Sequence, residues 1–200
     1  MDIPEQDRPL VNVVGDRVAL GPLRRDLLPV YHIWFNDLVT ADRFGEMPRP
    51  VTLEQAGVWY DREVAATDRA AFTIYALPDF RPIGLGDLNE IDNRAETAYL
   101  SIRIGEPDAR GKGHGTEAVH LLLDVAFTAL GLHNVMLTVA EYNLAGLRAY
   151  KKAGFRDCGR RRQSVVQGDR RWDLVYMDCL RNEVQSPVLG KAFSPDAPRT

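Results

Sequence analysis

Arg110-Gly111-Lys112-Gly113-His114-Gly115-Thr116 is the stretch of this sequence that decides the fold. The apolar run 99–104 precedes it and the apolar-patterned segment 117–130 follows it, which predicts a strand, a glycine-rich turn and a helix. Glycine permits positive φ angles and lets a ligand approach the backbone closely. The first amides of a helix lack intrahelical partners and lie at the positive end of its dipole, so the turn is a candidate site for an anionic group, above all a phosphate.

Three phosphate-binding patterns were compared with this turn. The P-loop pattern Gly-x-x-x-x-Gly-Lys-[Ser/Thr] does not occur in the sequence. The dinucleotide pattern Gly-x-Gly-x-x-Ala fits 113–118, with Glu141 as a ribose acid, and would indicate a nicotinamide-dependent oxidoreductase. Against it, residues 105–110 make the connection long, and too little chain follows for two mononucleotide halves. The third pattern, [Gln/Arg]-x-x-Gly-x-[Gly/Ala], fits at Arg110 and the last two glycines.

The composition is that of one ordinary globular domain. The chain has 200 residues, of which 45% are hydrophobic and 26% charged, and its formal net charge is −3. This balance gives no reason to expect nucleic acid or an anionic membrane as a partner. No apolar run reaches the length of a membrane span and the polar N-terminus is unlike a signal peptide, so a cytoplasmic protein is expected. The cysteines (Cys158 and Cys179) and the histidines lack metal-ligand spacing, and no metal is predicted.

The rest of the pattern predicts one domain between two less regular ends. Strands are predicted at 17–23, 71–77, 82–88, 97–104 and 134–139, with a final hairpin over 160–178. Helices are predicted over 24–37, with a break at Pro29, and over 52–66, 117–130 and 143–153. Antiparallel strands followed by a strand–helix–strand unit indicate a mixed sheet with helices on it. We predict an N-terminal arm at 1–16, the domain at 17–181 and a C-terminal tail at 182–200.

A second informative stretch runs over residues 143–155. Asn143 suits the N-cap of a helix, and Gly154 suits the left-handed residue that follows one. With Tyr150 and Phe155 they match Asn-x-x-[Ala/Ser]-x-x-x-Tyr-x-Lys-x-Gly-Phe, a pattern of the GNAT superfamily of N-acetyltransferases. The glycine turn resembles the loop with which the same superfamily binds the pyrophosphate of acyl-CoA.

Over residues 17–180 the chain resembles the branch that contains ribosomal-protein-alanine and spermidine/diamine N-acetyltransferases. Ile102-Arg103-Ile104-Gly105 before the turn is typical of that branch. So is the C-terminal pattern formed by Gly159, Arg160, Arg162, Gly168, Asp173 and Met177. Two positions depart from it: Gly146 replaces the usual Ala or Ser, and Tyr99 stands where a Glu is frequent. The second departure leaves the general base open.

The resemblance implies an α+β or mixed α/β GNAT-like fold, a mixed and mostly antiparallel sheet of about seven strands flanked by about four helices. It also implies an acetyl-CoA-dependent N-acetyltransferase that acts on a primary amine. The implied coenzyme-binding residues are Ile102, Ile104, Arg110, Gly111, Lys112, Gly113, His114, Gly115, Thr116 and Asn143. Tyr150 would protonate the departing thiolate, because the pKa of tyrosine lies above that of a thiol. The candidates for the base are Glu90, Asp92, Glu96 and Glu141.

The acceptor would lie against the helical region 24–66. This region carries the acids Asp26, Asp37, Asp42, Glu46, Glu54, Asp61 and Glu63 and the aromatic residues Trp34, Phe35, Trp59 and Tyr60. Acidic and aromatic surface suits a small cationic amine such as a polyamine, an amino sugar or an antibiotic. The alternatives are a protein N-terminal acetyltransferase and, from a different class, a CoA-binding module without turnover. A homodimer is left open.

Overall fold

The computed structural model describes residues 8–38 and 49–193, and these residues contain one eight-stranded sheet of order β1-β2-β3-β4-β5-β6-β8-β7. The strands are β1 Val13–Val14, β2 Val18–Pro22, β3 Ala70–Ala76, β4 Arg81–Asp92, β5 Thr97–Ile104, β6 Asn134–Ala140, β7 Arg156–Gln167 and β8 Arg170–Leu180. Only β5 and β6 pair in parallel among them, which confirms the predicted mixed, mostly antiparallel sheet. The strand not predicted is β1, which lies within the expected N-terminal arm and pairs with β2.

The described residues form five helices: α1 Leu28–Phe35, α2 Leu53–Ala65, α3 His114–Asp124, α4 Leu144–Lys152 and α5 Leu189–Ala192. The expected break at Pro29 is instead a helix start, because proline fits the first turn of α1. Thr52 and Gln55 form the predicted capping box before α2. The helix after the glycine turn starts at His114, earlier than predicted, and a π-helical turn at Val125–Ala129 follows it.

Two apolar clusters cover opposite faces of the sheet. On one face α3 packs closely, and a Cβ atom at Gly86 would lie 2.9 Å from Leu122 Cδ1. On the other face, α1 and α2 enclose a smaller cluster around Tyr31 and Trp34. The Tyr31 hydroxyl lies 2.5 Å from the Thr73 hydroxyl of β3. Because side chains alternate along a strand, β3 and β4 contribute to both clusters: Ala71 and Leu85 pack against the smaller one, and Phe72 and Leu88 belong to the larger one.

The parallel pair β5–β6 opens along its length. Its paired residues are Thr97 with Asn134, Ala98 with Val135 and Tyr99 with Met136. The strands continue to Ile104 and Ala140 without further pairing to each other. The edge of β5 that faces β6 is therefore free after Tyr99, close to where the glycine turn begins.

The first part of the predicted tail packs on the domain. The carboxylate of Asp124 accepts hydrogen bonds from the Val188 and Leu189 amides at 2.9 and 2.8 Å, and from the Ser186 hydroxyl. Leu189 is buried against the core. One carboxylate thus satisfies amides at the start of α5, which no sequence periodicity reveals. Residues 194–200 of the predicted tail, like 1–7 of the arm, lie outside the described residues.

Candidate functional site

The glycine turn has the backbone geometry that the sequence predicted. Gly111 and Gly113 have φ angles of +74° and +90°, and Gly113 is the N-cap of α3. The first intrahelical bond runs from the Glu117 amide to the Gly113 carbonyl, at 3.1 Å. The amides before Glu117 are therefore available to an anion at the positive end of the helix.

An open cleft of about 370 Å³, called here the turn cleft, lies between β5, the glycine turn, α3 and α4. The predicted site residues that line it are Ile102, Ile104, Arg110, Gly111, Gly113, Gly115, Thr116, Asn143 and Tyr150. The structure thus brings these residues from two separate stretches of the sequence together in one cleft. The predicted residues Lys112 and His114 do not line the cleft.

Arg110 braces the turn from within the protein. Its guanidinium donates to the carbonyl oxygens of Ile104 and Gly105, with Nε–O and Nη2–O distances of 3.0 and 2.6 Å. It also donates to the Asp37 carboxylate at 2.9 Å. The side chain of Arg110 therefore holds the end of β5 in place. Because the guanidinium makes these contacts, the backbone of Arg110 is the part available to a ligand.

Two further contacts fix the turn. A ring nitrogen of His114, Nδ1, lies 3.1 Å from the Ala109 carbonyl oxygen. Arg17 donates from Nη1 to the Lys112 carbonyl at 3.2 Å, and its amide donates to the Glu117 carboxylate at 2.8 Å. The turn is therefore held in part by His114 and Arg17, neither of which lines the cleft, while its glycines present bare backbone to it.

Tyr150 lies on α4, whose position is set by its cap. Asn143 Oδ1 accepts a hydrogen bond from the Gly146 amide at 3.0 Å, which confirms the predicted N-cap. The ring of Tyr150 packs edge-on against Phe155, with centroids 6.0 Å apart. Burial raises the pKa of Tyr150 to about 12, and its hydroxyl has no hydrogen-bond partner among the described residues. The cleft therefore contains a neutral phenol that can donate its proton.

A second cleft of about 330 Å³ opens on the opposite face of the sheet, between α2 and the strands β4 and β5. We call it the far-face cleft. Phe35 and Trp59 supply aromatic surface, and Glu63 and Asp87 supply carboxylates. Ile102 lines both clefts, so they approach each other at the part of β5 that no longer pairs with β6.

The two carboxylates of the far-face cleft have different surroundings. Glu63 is buried and accepts from Arg69 at 2.5 Å and from Arg62 at 3.3 Å. Asp87 accepts from the neutral amide of Asn89 at 2.6 Å and forms no ion pair with a described residue. Burial raises the pKa of Asp87 to about 6, helped by the nearby Glu63 charge and opposed by its hydrogen bonds and by Arg69.

Neither cleft is lined by any of the four residues that were predicted as candidates for the general base. Glu90 and Glu96 are exposed, and Glu141 pairs with Arg160 at 2.8 Å. Asp92 accepts from the amides that follow it, which lowers its pKa. Sequence reasoning missed Asp87. The signal was an acid inside an otherwise apolar and glycine-rich strand, where a charged residue is rarely placed without a role.

Only some of the acidic and aromatic residues that were predicted to lie against the acceptor line a cleft. Asp26 pairs with Arg24, Asp61 with Arg25 and Asp37 with Arg110, and Glu54 is exposed at the start of α2. Trp34 is buried in the core, and Tyr60 lies under the Arg25 guanidinium, 4.8 Å from ring centroid to Cζ. Asp42 and Glu46 lie outside the described residues. Of this set, Phe35, Trp59 and Glu63 line the far-face cleft.

The dinucleotide interpretation of the turn is wrong. A doubly wound nucleotide-binding sheet is built from successive parallel strands. In the part of the chain that the structure describes, only one pair of strands, β5 and β6, is parallel. The glycine turn follows the end of β5 that no longer pairs with β6. The same described residues contain no helix able to cross a membrane and no cluster of three His, Cys, Asp or Glu side chains placed to hold a metal.

Comparison with known proteins agrees with this geometry. Residues 17–156 match the family described as acetyltransferase (GNAT) domain. A spermidine N(1)-acetyltransferase of Escherichia coli K12 is 30% identical over 138 residues, which cover 69% of this chain and 72% of the relative. The crystal structure of a spermidine N-acetyltransferase from Vibrio cholerae, in complex with CoA and spermine, superposes with a TM-score of 0.77 at 25% identity, covering 83% of this chain and 96% of that one. A dodecameric structure of the Vibrio cholerae enzyme gives a TM-score of 0.70 at 25% identity, covering 82% and 94%.

Proposed function

The chain belongs to the GNAT acetyltransferase family, and on that basis we propose that it transfers the acetyl group of acetyl-CoA to a primary amine of a small molecule. One observation carries the proposal. The glycine turn, the end of β5 and Tyr150 line a single cleft, and Ile102 separates it from a second, partly acidic cleft. A thioester held in the first cleft can thus be reached by an amine from the second.

The turn cleft fits coenzyme A. Its pyrophosphate is an anion, and the amides at the start of α3 and the Gly113 and Gly115 backbone are the donors that such a group needs. Where β5 stops pairing with β6, the backbone near Ile102 and Ile104 offers hydrogen bonds to the pantetheine amides and a donor to the thioester carbonyl. Acetyl-CoA supplies an acyl thioester, and the residues named here hold and orient it.

Tyr150 is the proposed general acid. When an amine nitrogen forms a bond to the thioester carbon, the carbon–sulfur bond breaks and the sulfur leaves as a thiolate. The pKa of the buried Tyr150 phenol, about 12, keeps it protonated at neutral pH and ready to donate to that sulfur. Proton donation makes coenzyme A a better leaving group.

The far-face cleft is the proposed acceptor site. Trp59 and Phe35 offer rings to the cation or carbon chain of an amine, and Glu63 and Asp87 offer negative charge. Polyamines are the first class to test, since the Escherichia coli relative is a spermidine N(1)-acetyltransferase and the Vibrio cholerae structure holds spermine. An assembly of several copies is also proposed, because the Vibrio cholerae enzyme forms a dodecamer. The cytoplasmic location and the domain limits stay predictions.

The test is a thiol-release assay with acetyl-CoA and a panel of acceptors. The panel contains spermidine and spermine, an amino sugar, and peptides that begin with alanine. We expect turnover with at least one small amine. Turnover of the peptides alone would replace the small-molecule acceptor by a protein N-terminus. Tight binding of acetyl-CoA with no turnover of any amine would favour a CoA-binding module.

A further inference from the structure

Asp87 is a half-buried carboxylate in the middle of β4 whose hydrogen-bond donors are neutral. The Nδ2 atom of Asn89 lies 2.6 Å from the Asp87 carboxylate and 3.2 Å from the Ser101 hydroxyl, so one amide bridges the two neighbouring strands. Asp87 and Ser101 are register partners across β4 and β5. A charged group in such a position is costly to the fold unless it has a partner, and a cationic ligand is a suitable one.

The location of Asp87 connects it to the thioester site. Ser101, its register partner, is followed by Ile102, the residue that lines both clefts. β5 at this point has lost β6 as a neighbour, so the sheet is open between the two faces. An ammonium group that contacts Asp87 therefore lies on the far face beside the opening toward which the turn cleft directs the acetyl group.

The other charges in the far-face cleft make Asp87 the carboxylate suited to this task. Glu63 faces it from α2, but Arg69 and Arg62 already neutralise that carboxylate. Arg103, from β5, also lines the cleft, and its guanidinium lies over the Phe35 ring at 5.6 Å. Asp87 is thus the acid of this cleft that forms no ion pair with a described residue.

We propose that Asp87 accepts the proton that the ammonium form of the acceptor must lose before it attacks, an inference that rests on the acetyl transfer proposed above. Asp87 takes one proton from R–NH₃⁺ and releases it later to solvent. The free amine then forms the carbon–nitrogen bond as the carbon–sulfur bond breaks. Tyr150 gives its proton to sulfur and regains one from the nitrogen. The products are the N-acetyl amine, coenzyme A and one proton.

The assignment predicts a dependence on the acceptor's own pKa. Asp87→Asn keeps the size and the Asn89 contact geometry but cannot accept the proton. With an aliphatic amine, charged at pH 7.5, we expect kcat/KM to fall roughly 10²-fold or more, the usual size of a general-base contribution. With an alkoxyamine or an acyl hydrazide, which is already neutral at that pH, we expect a fall of no more than a few-fold.

The controls separate failure of this proposal from failure of the proposed function. Wild-type turnover with both kinds of amine establishes the reaction first, and Asp79→Asn, at an exposed position in the β3–β4 turn, is the matched substitution. Asp87→Glu should recover part of the rate with the aliphatic amine. An equal loss with charged and neutral amines, or full activity of Asp87→Asn with the charged amine, would overturn the role of Asp87 while leaving acetyl transfer in place.

Unfolding provides a readout that does not depend on activity. The pKa of Asp87 in the fold, about 6, lies above its ordinary value, so its ionisation opposes folding above that pH and has no effect below pH 3. Asp87→Asn should therefore raise the thermal midpoint at pH 8 and leave it nearly unchanged at pH 3. If Asp87 has a role in the reaction, the Asp87→Asn variant should be more stable and less active than wild type. A lower midpoint at pH 8 would indicate a structural role instead.

Discussion

The guanidinium of Arg110 donates to the carboxylate of Asp37 at 2.9 Å, which ties the glycine turn to the end of α1. A second contact runs alongside it, since the Trp34 ring covers Gly105 so closely that a Cβ atom there would lie 2.3 Å away. Trp34 also donates to the Glu106 carboxylate at 2.8 Å. These contacts therefore connect the glycine turn, which is proposed to bind the coenzyme, to α1, which contributes Phe35 to the far-face cleft.

Breaking this connection should weaken acetyl-CoA binding from a distance. Asp37 does not line the turn cleft, and Asp37→Asn removes the charge that holds Arg110. A double-mutant cycle with Arg110→Gln should give a coupling energy on the order of 1 kcal/mol in coenzyme affinity, measured by calorimetry. Arg156→Gln, which removes a surface ion pair with Glu183, is the control and should change nothing. Strictly additive effects of Asp37→Asn and Arg110→Gln would contradict the connection.

Gly115 allows a test of backbone approach without damage to the fold. A Cβ atom at this position would lie 3.6 Å from Ile104 Cγ1, an ordinary contact, and the φ angle is not positive. Gly115→Ala should therefore leave acetyl-CoA affinity within a few-fold of wild type. Gly115→Val should lower it by about ten-fold or more, equivalent to ~1.4 kcal/mol, because its methyl groups enter the cleft. Circular dichroism should report the same helix content in both, and equal affinities would show that the ligand lies elsewhere.

Tyr150→Phe should separate chemistry from binding. Because the hydroxyl has no partner among the described residues, its removal should leave the thermal midpoint close to wild type. The single-turnover rate should fall ~10²-fold or more through loss of the general acid. In the wild type, a pKa of about 12 means that ionisation of Tyr150 cannot lower the rate between pH 6 and pH 10. Tyr176→Phe on β8 is the control. A rate close to that of wild type would make Tyr150 a core residue only.

Asp124 is expected to hold the C-terminal segment. Asp124→Asn removes the charge that accepts from the Val188 and Leu189 amides and from Thr128 Oγ1. The free energy of unfolding should fall by about 1–3 kcal/mol, the cost of weakening hydrogen bonds to a buried charged group. Hydrogen exchange at the Val188 and Leu189 amides should speed up, whereas kcat should stay within a few-fold. Unchanged exchange at these amides would show that apolar packing alone holds the segment.

The sequence predicted those parts of the site that depend on local backbone chemistry. Gly113 and Gly154 needed positive φ angles, and Asn143 needed to cap a helix, and each requirement is visible in a few neighbouring residues. The same holds for β5, whose limits were predicted without error at 97–104. These features form the part of the site that is proposed to bind the coenzyme.

What the sequence did not reveal depends on contacts between distant residues. Asp87 becomes distinctive only because Asn89 and Ser101 lie beside it and no described residue forms an ion pair with it, which is a property of the folded sheet. The packed segment around Leu189 likewise depends on Asp124, 65 residues away. Short polar segments carry no periodicity, so a segment ordered by one buried carboxylate has the pattern of a loose tail.

The opening between β5 and β6 divides the two groups proposed to transfer protons, Asp87 as base and Tyr150 as acid, between two parts of the protein. Asp87 belongs to the part that contains β1 to β5, whereas Tyr150 follows β6 and belongs to the part with β6, β7 and β8. Within the sheet, the three register pairs from Thr97 to Tyr99 join these parts. The distance between acid and base is thus set by the angle at which two half-sheets meet, and a coenzyme that bridges the opening would fix that angle before the amine arrives.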